Sequence, residues 1–92
     1  MDVVIPARAT KRDTIEAIYA ALEAPSWAAP NLDALADILR DLSWREPGLL
    51  RLDWEVDPEL PAADQRQLRD VLISAVAQSA RSQHPLALRV RT

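Results

Sequence analysis

Hydrophobic residues fall into short runs and longer periodic stretches, and the two patterns predict different elements. A β-branched run over residues 2–5, closed by Pro6, has the length and composition of a buried strand. Two further strands are predicted over residues 49–54 and 86–91. Gly48, the only glycine, stands where the chain must turn into the first of these.

Three helices are predicted between these strands. The first begins at Thr10 and ends before Pro25, the second is capped by Asn31, and the third runs from about residue 62 to residue 83. Each has one apolar face at helical spacing. The faces consist of Ile15, Ile18, Tyr19 and Leu22, of Leu32, Leu35, Leu39 and Leu42, and of Leu68, Val71, Leu72, Ala75 and Ser79, with Ile73 well off the last one.

The predicted order is therefore β-α-α-β-α-β. Strands that are separated by helices need crossover connections, so they form a parallel sheet with helices packed on it. The expected fold class is α/β, with a small three-stranded parallel sheet. A chain of 92 residues has material for one hydrophobic core, so we expect a single domain over residues 1–92.

Charge is distributed unevenly along the chain. The formal net charge is −3, but nine of the 14 acids lie between residues 31 and 64, where there are only three arginines. Nucleic acid is not an expected partner, because a phosphate backbone requires clustered lysine and arginine. An acidic segment favours a basic protein that is drawn in by electrostatic attraction. The count alone is explained equally well by acids that keep the surface solvated.

The composition excludes several kinds of chemistry. The chain has no cysteine, one histidine and one glycine, so it offers no disulfide, no thiolate metal site and no glycine-rich phosphate loop. We expect no metal and no cofactor. His84, at the predicted junction of the third helix and the third strand, is predicted to be a surface or capping residue rather than a general base or metal ligand.

The protein is expected in the cytoplasm. Asp2 stands where a secretory signal needs positive charge, and the apolar run that follows is too short for the core of such a signal. No stretch approaches the roughly 20 apolar residues that span a bilayer, so no membrane partner is expected.

Asp33, Asp37 and Asp41 follow one another at four-residue intervals along the second helix, away from its leucine face. Paired carboxylates are the minimum for acid–base or glycosidic catalysis, but such pairs need burial that separates their pKa values, and these are predicted to face solvent. We therefore expect no enzymatic activity. In a purely structural interpretation, Asp33 complements the positive helix N-terminus and Asp37 solvates the outer face.

Three tryptophans stand in a chain without phenylalanine. Core or hinge packing explains Trp44 and Trp54, which follow the acidic helix and end the second predicted strand. Trp27 lies in a loop between two prolines that leads into the acidic helix, where an exposed aromatic anchor for a partner would be set. A hydrophobic plug over the loop is an equally good interpretation of Trp27.

Residues 25–39, Pro-Ser-Trp-Ala-Ala-Pro-Asn-Leu-Asp-Ala-Leu-Ala-Asp-Ile-Leu, resemble the barstar family of ribonuclease inhibitors. The family signature is a proline, an aromatic loop and Asn-x-Asp-Ala-Leu-x-Asp-x-Leu, followed after a tryptophan and a proline by a strand that ends in tryptophan. This second part of the signature is matched, in the same order, by Trp44, Pro47 and Trp54. The resemblance covers essentially the whole chain and implies the family fold, a three-stranded parallel sheet with helices packed on it.

The resemblance implies that the chain binds and blocks the active site of a small basic secreted ribonuclease, and so protects the bacterial cell that makes the enzyme. Asp33 and Asp37 match the two aspartates that meet the cationic groups which would otherwise hold the RNA phosphate. No cofactor is needed, and the free protein is expected to be a monomer. The predicted partner-binding residues are Trp27, Asn31, Asp33, Asp37, Asp41 and Trp44.

Two departures from the family bear on the partner. Known members have two adjacent aromatics and a glycine in the loop, where this chain has Trp27 followed by two alanines and the stiffening Pro30. The last helix of those members offers an acid to the enzyme, but the approximate match here falls on Gln78 and Ser79. These differences leave open a second hypothesis, a regulatory interaction module with the same fold whose partner is not a ribonuclease.

Overall fold

A computed structural model describes the whole chain, residues 1–92. The strands are β1 (Asp2–Ile5), β2 (Leu50–Glu55) and β3 (Leu86–Arg91), and the helices are α1 (Lys11–Leu22), α2 (Leu32–Asp41) and α3 (Ala62–Ser79). The strands form one parallel sheet in the order β1-β2-β3. The predicted α/β class, element order and parallel sheet are confirmed, with β2 one residue later than predicted. No helix has the length and apolar character needed to cross a membrane.

Local sequence explains where α1 and α2 begin. The Thr10 side chain accepts a hydrogen bond from the Asp13 backbone N–H, and the Asn31 side chain accepts one from the Ala34 N–H at 2.8 Å. Each bond satisfies one of the N–H groups that a helix leaves unpaired in its first turn. Both predicted caps are therefore confirmed.

The predicted end of α3 at residue 83 is wrong, since the helix stops at Ser79. The Ser79 hydroxyl donates to the Val76 carbonyl and accepts from the Leu86 N–H, so it ties the last turn of α3 to the first residue of β3. The Ser82 hydroxyl then donates to the Ser79 carbonyl. Hydroxyl groups that bond nearby backbone compete with helix continuation, and they end α3 without a glycine or proline.

Side chains alternate between the two faces of the sheet. Ile5, Leu52 and Trp54 point to the helices and are fully buried. Ile5 is in register with Trp54, and Trp54 with Val90, so all three strands contribute to the same layer of the core. The opposite face of the sheet is open to solvent and carries mainly charged side chains.

Helices α1 and α3 pack against the buried side of the sheet, and α2 packs along α3 and contributes its apolar face to the same core. Each buried aliphatic side chain contributes roughly 1.5–3 kcal/mol through removal from water. Ile38 is buried beside the predicted leucine face of α2, whereas Ile73 is exposed on α3. The buried helix residues of the core are Ile15, Ile18, Leu22, Leu35, Leu39, Leu68, Leu72 and Ala75, with Leu42 just after α2.

His84 is buried at the junction of α3 and β3, which corrects the predicted surface position. Its ring Nε2 lies 2.9 Å from the carbonyl oxygen of Arg45, and the Gly48 N–H donates to the Gln83 carbonyl. These contacts fasten the connection between α2 and β2 to the residues that precede β3. Gly48 has a φ of 144°, a value that favours glycine, as expected for the predicted turn.

Candidate partner-binding surface

Helix α2 presents an acidic outer side because its inner side is fixed in the core. Leu35, Ile38 and Leu39 are buried, while Asp33, Asp37 and Asp41 are exposed. We call these three aspartates the acid row. Successive members are one turn apart, about 6 Å along the helix axis. The acid row is therefore held on a rigid element, as the sequence predicts.

The negative charge of the acid row is only partly compensated. Arg40 is the only cation on α2, and its guanidinium pairs with the Asp37 carboxylate. The two side chains are 55% and 70% exposed, so the pair contributes little to stability. Asp33 and Asp41 form no ion pair. Surplus negative charge therefore faces solvent along α2.

Trp27 is exposed in the connection between α1 and α2, where 77% of its surface is accessible. The alternative interpretation of Trp27 as a hydrophobic plug is therefore wrong. We call residues 24–30 the Trp27 loop. Within it the Ala28 N–H donates to the Pro25 carbonyl, and at its end the N–H of Asn31, the cap of α2, donates to the Ala29 carbonyl. The indole is thus an exposed group on a locally ordered loop.

Tyr19 links the Trp27 loop with α1, a role that the sequence pattern did not predict. Its hydroxyl donates to the Ala29 carbonyl at 2.8 Å. Burial and the negative charge of Asp37 raise the pKa of Tyr19 above its ordinary value. The phenol therefore contacts the loop and is close enough to Asp37 to be affected by its charge. The sequence feature that could have indicated this role is a tyrosine near the end of α1, because a half-buried phenol usually forms a hydrogen bond.

Trp44 is half-buried and packs against the core. Its indole N–H donates to the Leu22 carbonyl at 3.0 Å, and the Arg45 guanidinium donates to the same oxygen at 2.9 Å. These bonds satisfy a carbonyl at the C-terminal end of α1. The polar group of Trp44 is therefore used within the protein, and the side chain as a whole is only partly exposed.

The C-terminal part of α3, where the resemblance placed no acid, has a surface of mixed polarity. Gln78 is exposed and Ser79 is buried, and both line a cavity of about 580 Å³ between the C-terminal parts of α2 and α3. Asp41 and Arg40 lie on the opposite wall. No group of three or more histidine or acidic side chains is placed to hold a metal ion. Gln78 and Ser79 therefore add no negative charge to the acid row across this cavity.

The comparison with protein families gives one result. A family model described as "Barstar (barnase inhibitor)" matches residues 3–91, from β1 to the last residue of β3. No curated protein and no solved structure matches the chain. The matched range contains every helix of the fold, the Trp27 loop and the acid row.

Proposed function

The chain belongs to the barstar family, and we propose that it binds and blocks the active site of a small basic ribonuclease. The observation that carries this proposal is the exposure of Asp33, Asp37 and Trp27 around the start of one rigid helix. The family is described as an inhibitor of barnase, which supports inhibition rather than catalysis as the role of these side chains.

The acid row would act as a substitute for RNA phosphate. A ribonuclease active site holds phosphate with cationic side chains, and carboxylates at fixed positions form charge-assisted hydrogen bonds to the same groups. In this proposal Asp33 and Asp37 pair with those cations, and Asp41 adds to the attraction. Because the surplus charge extends along the helix, it also accelerates encounter with a basic protein.

The residues around the acid row would hold it in place and add apolar contact. Trp27 is the anchor, since a large exposed aromatic gives contact area with little loss of side-chain freedom. Asn31 caps α2 and so fixes the direction in which Asp33 points. Trp44 supports the far end of α2 through its bond to Leu22. Each predicted partner-binding residue therefore has a role in this proposal.

The setting that suits this function is the cytoplasm of a bacterial cell that makes the ribonuclease. There the protein acts as an immunity protein or antitoxin, as a monomer before it meets the enzyme, and without a cofactor. It is not an enzyme in this proposal. Asp33 and Asp37 are exposed to solvent, whereas carboxylates used in acid–base catalysis are usually at least partly buried.

A second candidate keeps the surface and changes the partner. Arg40 interrupts the acid row, and Gln78 and Ser79 provide no acid on α3. These features favour a partner with a less uniformly basic surface, for which a regulatory protein other than a ribonuclease is a suitable class.

An inhibition assay with purified barnase tests the first candidate. The wild-type chain is expected to suppress RNA cleavage, and the Asp33→Ala/Asp37→Ala variant is expected to lose most of this effect. The control is Asp2→Ala/Asp53→Ala, which removes the same formal charge from the open face of the sheet. Equal inhibition by both variants would contradict the proposed surface.

Affinity capture separates the two candidates. Lysate and medium of the native cell are passed over the wild-type chain and over the Asp33→Ala/Asp37→Ala variant as parallel baits. A small basic protein with ribonuclease activity, held by the wild type alone, supports the inhibitor. A captured protein without nuclease activity transfers the function to the second candidate.

A further inference from the structure

The carbonyl oxygen of Ala29 is the point at which the Trp27 loop is fastened. It accepts hydrogen bonds from the Asn31 N–H at 2.9 Å and from the Tyr19 hydroxyl at 2.8 Å. The first bond closes a tight turn around Pro30, immediately before the cap of α2. The second reaches from α1 across to the loop. One oxygen therefore joins α1, the loop and the start of α2.

The Ala24 N–H donates to the Tyr19 carbonyl and so holds the first residue of the Trp27 loop to α1, but beyond Ala24 the bond from the Tyr19 hydroxyl has no substitute. Among residues 25–30, the other hydrogen bonds are local, from Ala28 to Pro25 and from Asn31 to Ala29. No other side chain donates to or accepts from this segment. Trp27 is exposed, so it adds no packing that would hold the loop against the core. The phenol is the only hydrogen-bond tether between the loop residues 25–30 and α1.

The surroundings of Tyr19 keep it in the form that can donate. Burial and the charge of Asp37 both raise its pKa, so the hydroxyl retains its proton well beyond neutral pH. The loop contributes no titratable side chain near the phenol, and Arg40 accompanies Asp37 on α2. Glu16 on α1 and Glu23, which follows α1, are three and four residues from Tyr19 in the sequence. Of these charged groups, Asp37 is the one that favours the neutral phenol.

We propose that Tyr19 is a positioning residue, which clasps the Trp27 loop to α1 and so sets the place of the indole relative to the acid row. This inference rests on the proposed function for its purpose, since a loop placed in advance loses less conformational freedom when a partner binds. The clasp itself is a property of the free protein.

Tyr19→Phe removes the hydroxyl and keeps the ring. Loss of one hydrogen bond is expected to raise the amide hydrogen-exchange rate of Asn31 about fivefold and to speed dissociation from barnase by a similar factor. The matched control is Thr14→Val, which removes a buried hydroxyl that donates to the Thr10 carbonyl at the other end of α1. This control is expected to leave exchange at Asn31 at the wild-type rate.

A pH titration gives a second measurement, which responds to the Tyr19 hydroxyl and not to the packing of its ring. The pKa of Tyr19 is raised, so the stability that its proton provides is complete below about pH 10, the ordinary tyrosine value, and is lost as pH rises through the folded value. Carbon-13 signals of the Ala28 and Ala29 methyl groups are expected to shift with this titration in the wild type and to stay constant in Tyr19→Phe.

The possible outcomes separate the clasp from the proposed function. Faster exchange in Tyr19→Phe alone, with loss of the methyl titration, supports the clasp. Wild-type exchange in Tyr19→Phe, or an unchanged methyl titration, overturns it. If the wild-type chain fails to bind barnase, the proposed function is contradicted for barnase as the partner. The exchange and titration results still show whether Tyr19 holds the loop.

Discussion

The open face of the sheet and the outer side of α2 are both charged, but their charges are arranged differently. On the sheet, Arg91 pairs with Asp53 at 2.9 Å and Arg51 approaches Asp2 at 4.0 Å. On α2, three aspartates stand against one arginine. The outward charged residues of the sheet are three acids and three arginines: Asp2, Asp53, Glu55, Arg51, Arg89 and Arg91.

The difference separates charge that solvates a surface from charge that is available to a partner. Parallel sheets are normally covered by other elements on both faces. One face of this sheet is exposed to solvent instead, and its charged side chains neutralise one another across the strands. Such a surface has little net field. The acid row keeps its surplus, and it lies beside an exposed tryptophan that the sheet face lacks.

The largest effect is expected when the comparison is tested with one aspartate from each surface. Asp37→Ala is expected to weaken binding to barnase by at least about 2 kcal/mol, roughly thirtyfold, because a carboxylate that pairs with desolvated cations is lost. The free energy of unfolding is expected to change by less than about 0.5 kcal/mol, since the position is exposed. Titration calorimetry at low salt and urea denaturation measure the two quantities.

The control for this prediction is Asp53→Ala, which removes a carboxylate that is also paired with an arginine. It is expected to leave the affinity unchanged. An equal loss of affinity in both variants would mean that only total charge matters, and the distinction between the two surfaces would fail.

A smaller effect is expected from the aromatic that marks the α2 surface. Trp27→Ala is expected to weaken binding by about 1.5 kcal/mol through lost contact area, with no change in the urea midpoint because the indole is 77% exposed. Ile73→Ala, an exposed apolar position on α3, is the matched control and is expected to bind as the wild type does. A fall in the urea midpoint of Trp27→Ala would show that the indole supports the loop instead.

Much of this architecture follows from local sequence. The caps at Thr10 and Asn31, the leucine face of α2 and the acid row opposite it are set by side chains that lie within a few residues of one another. Helical periodicity and capping act at this range, so they predict both the helix and which of its sides faces solvent. The family signature in residues 25–39 adds the expected partner.

The features that were not predicted depend on contacts that helical periodicity and capping patterns do not describe. His84 is buried because its ring meets the Arg45 carbonyl, and Tyr19 is a tether because the loop passes over its hydroxyl. Ser79 ends α3 through a bond to Leu86, seven residues on. The pairing of Arg40 with Asp37 is different, since its i, i+3 spacing was visible in the sequence.

The smallest effects are expected from the two arginines that pair with aspartates on the two surfaces. Arg40→Gln removes the only cation that opposes the acid row, so we expect affinity for barnase to rise about threefold, with an unchanged urea midpoint because the pair is exposed. Arg91→Gln leaves the less exposed carboxylate of Asp53 unpaired, so we expect unchanged affinity and a loss of up to about 1 kcal/mol in unfolding free energy.

This last pair of variants tests whether pairing itself distinguishes the surfaces. If the comparison holds, loss of an arginine alters partner affinity on α2 and protein stability on the sheet. Weaker binding by Arg40→Gln would show that Arg40 contacts an acidic group of the partner, so that its charge belongs to the interface rather than shielding it. Arg40→Lys separates charge from shape, because lysine keeps the charge without the planar guanidinium. Wild-type affinity in the lysine variant, together with a gain in the glutamine variant, would identify shielding by charge as the cause.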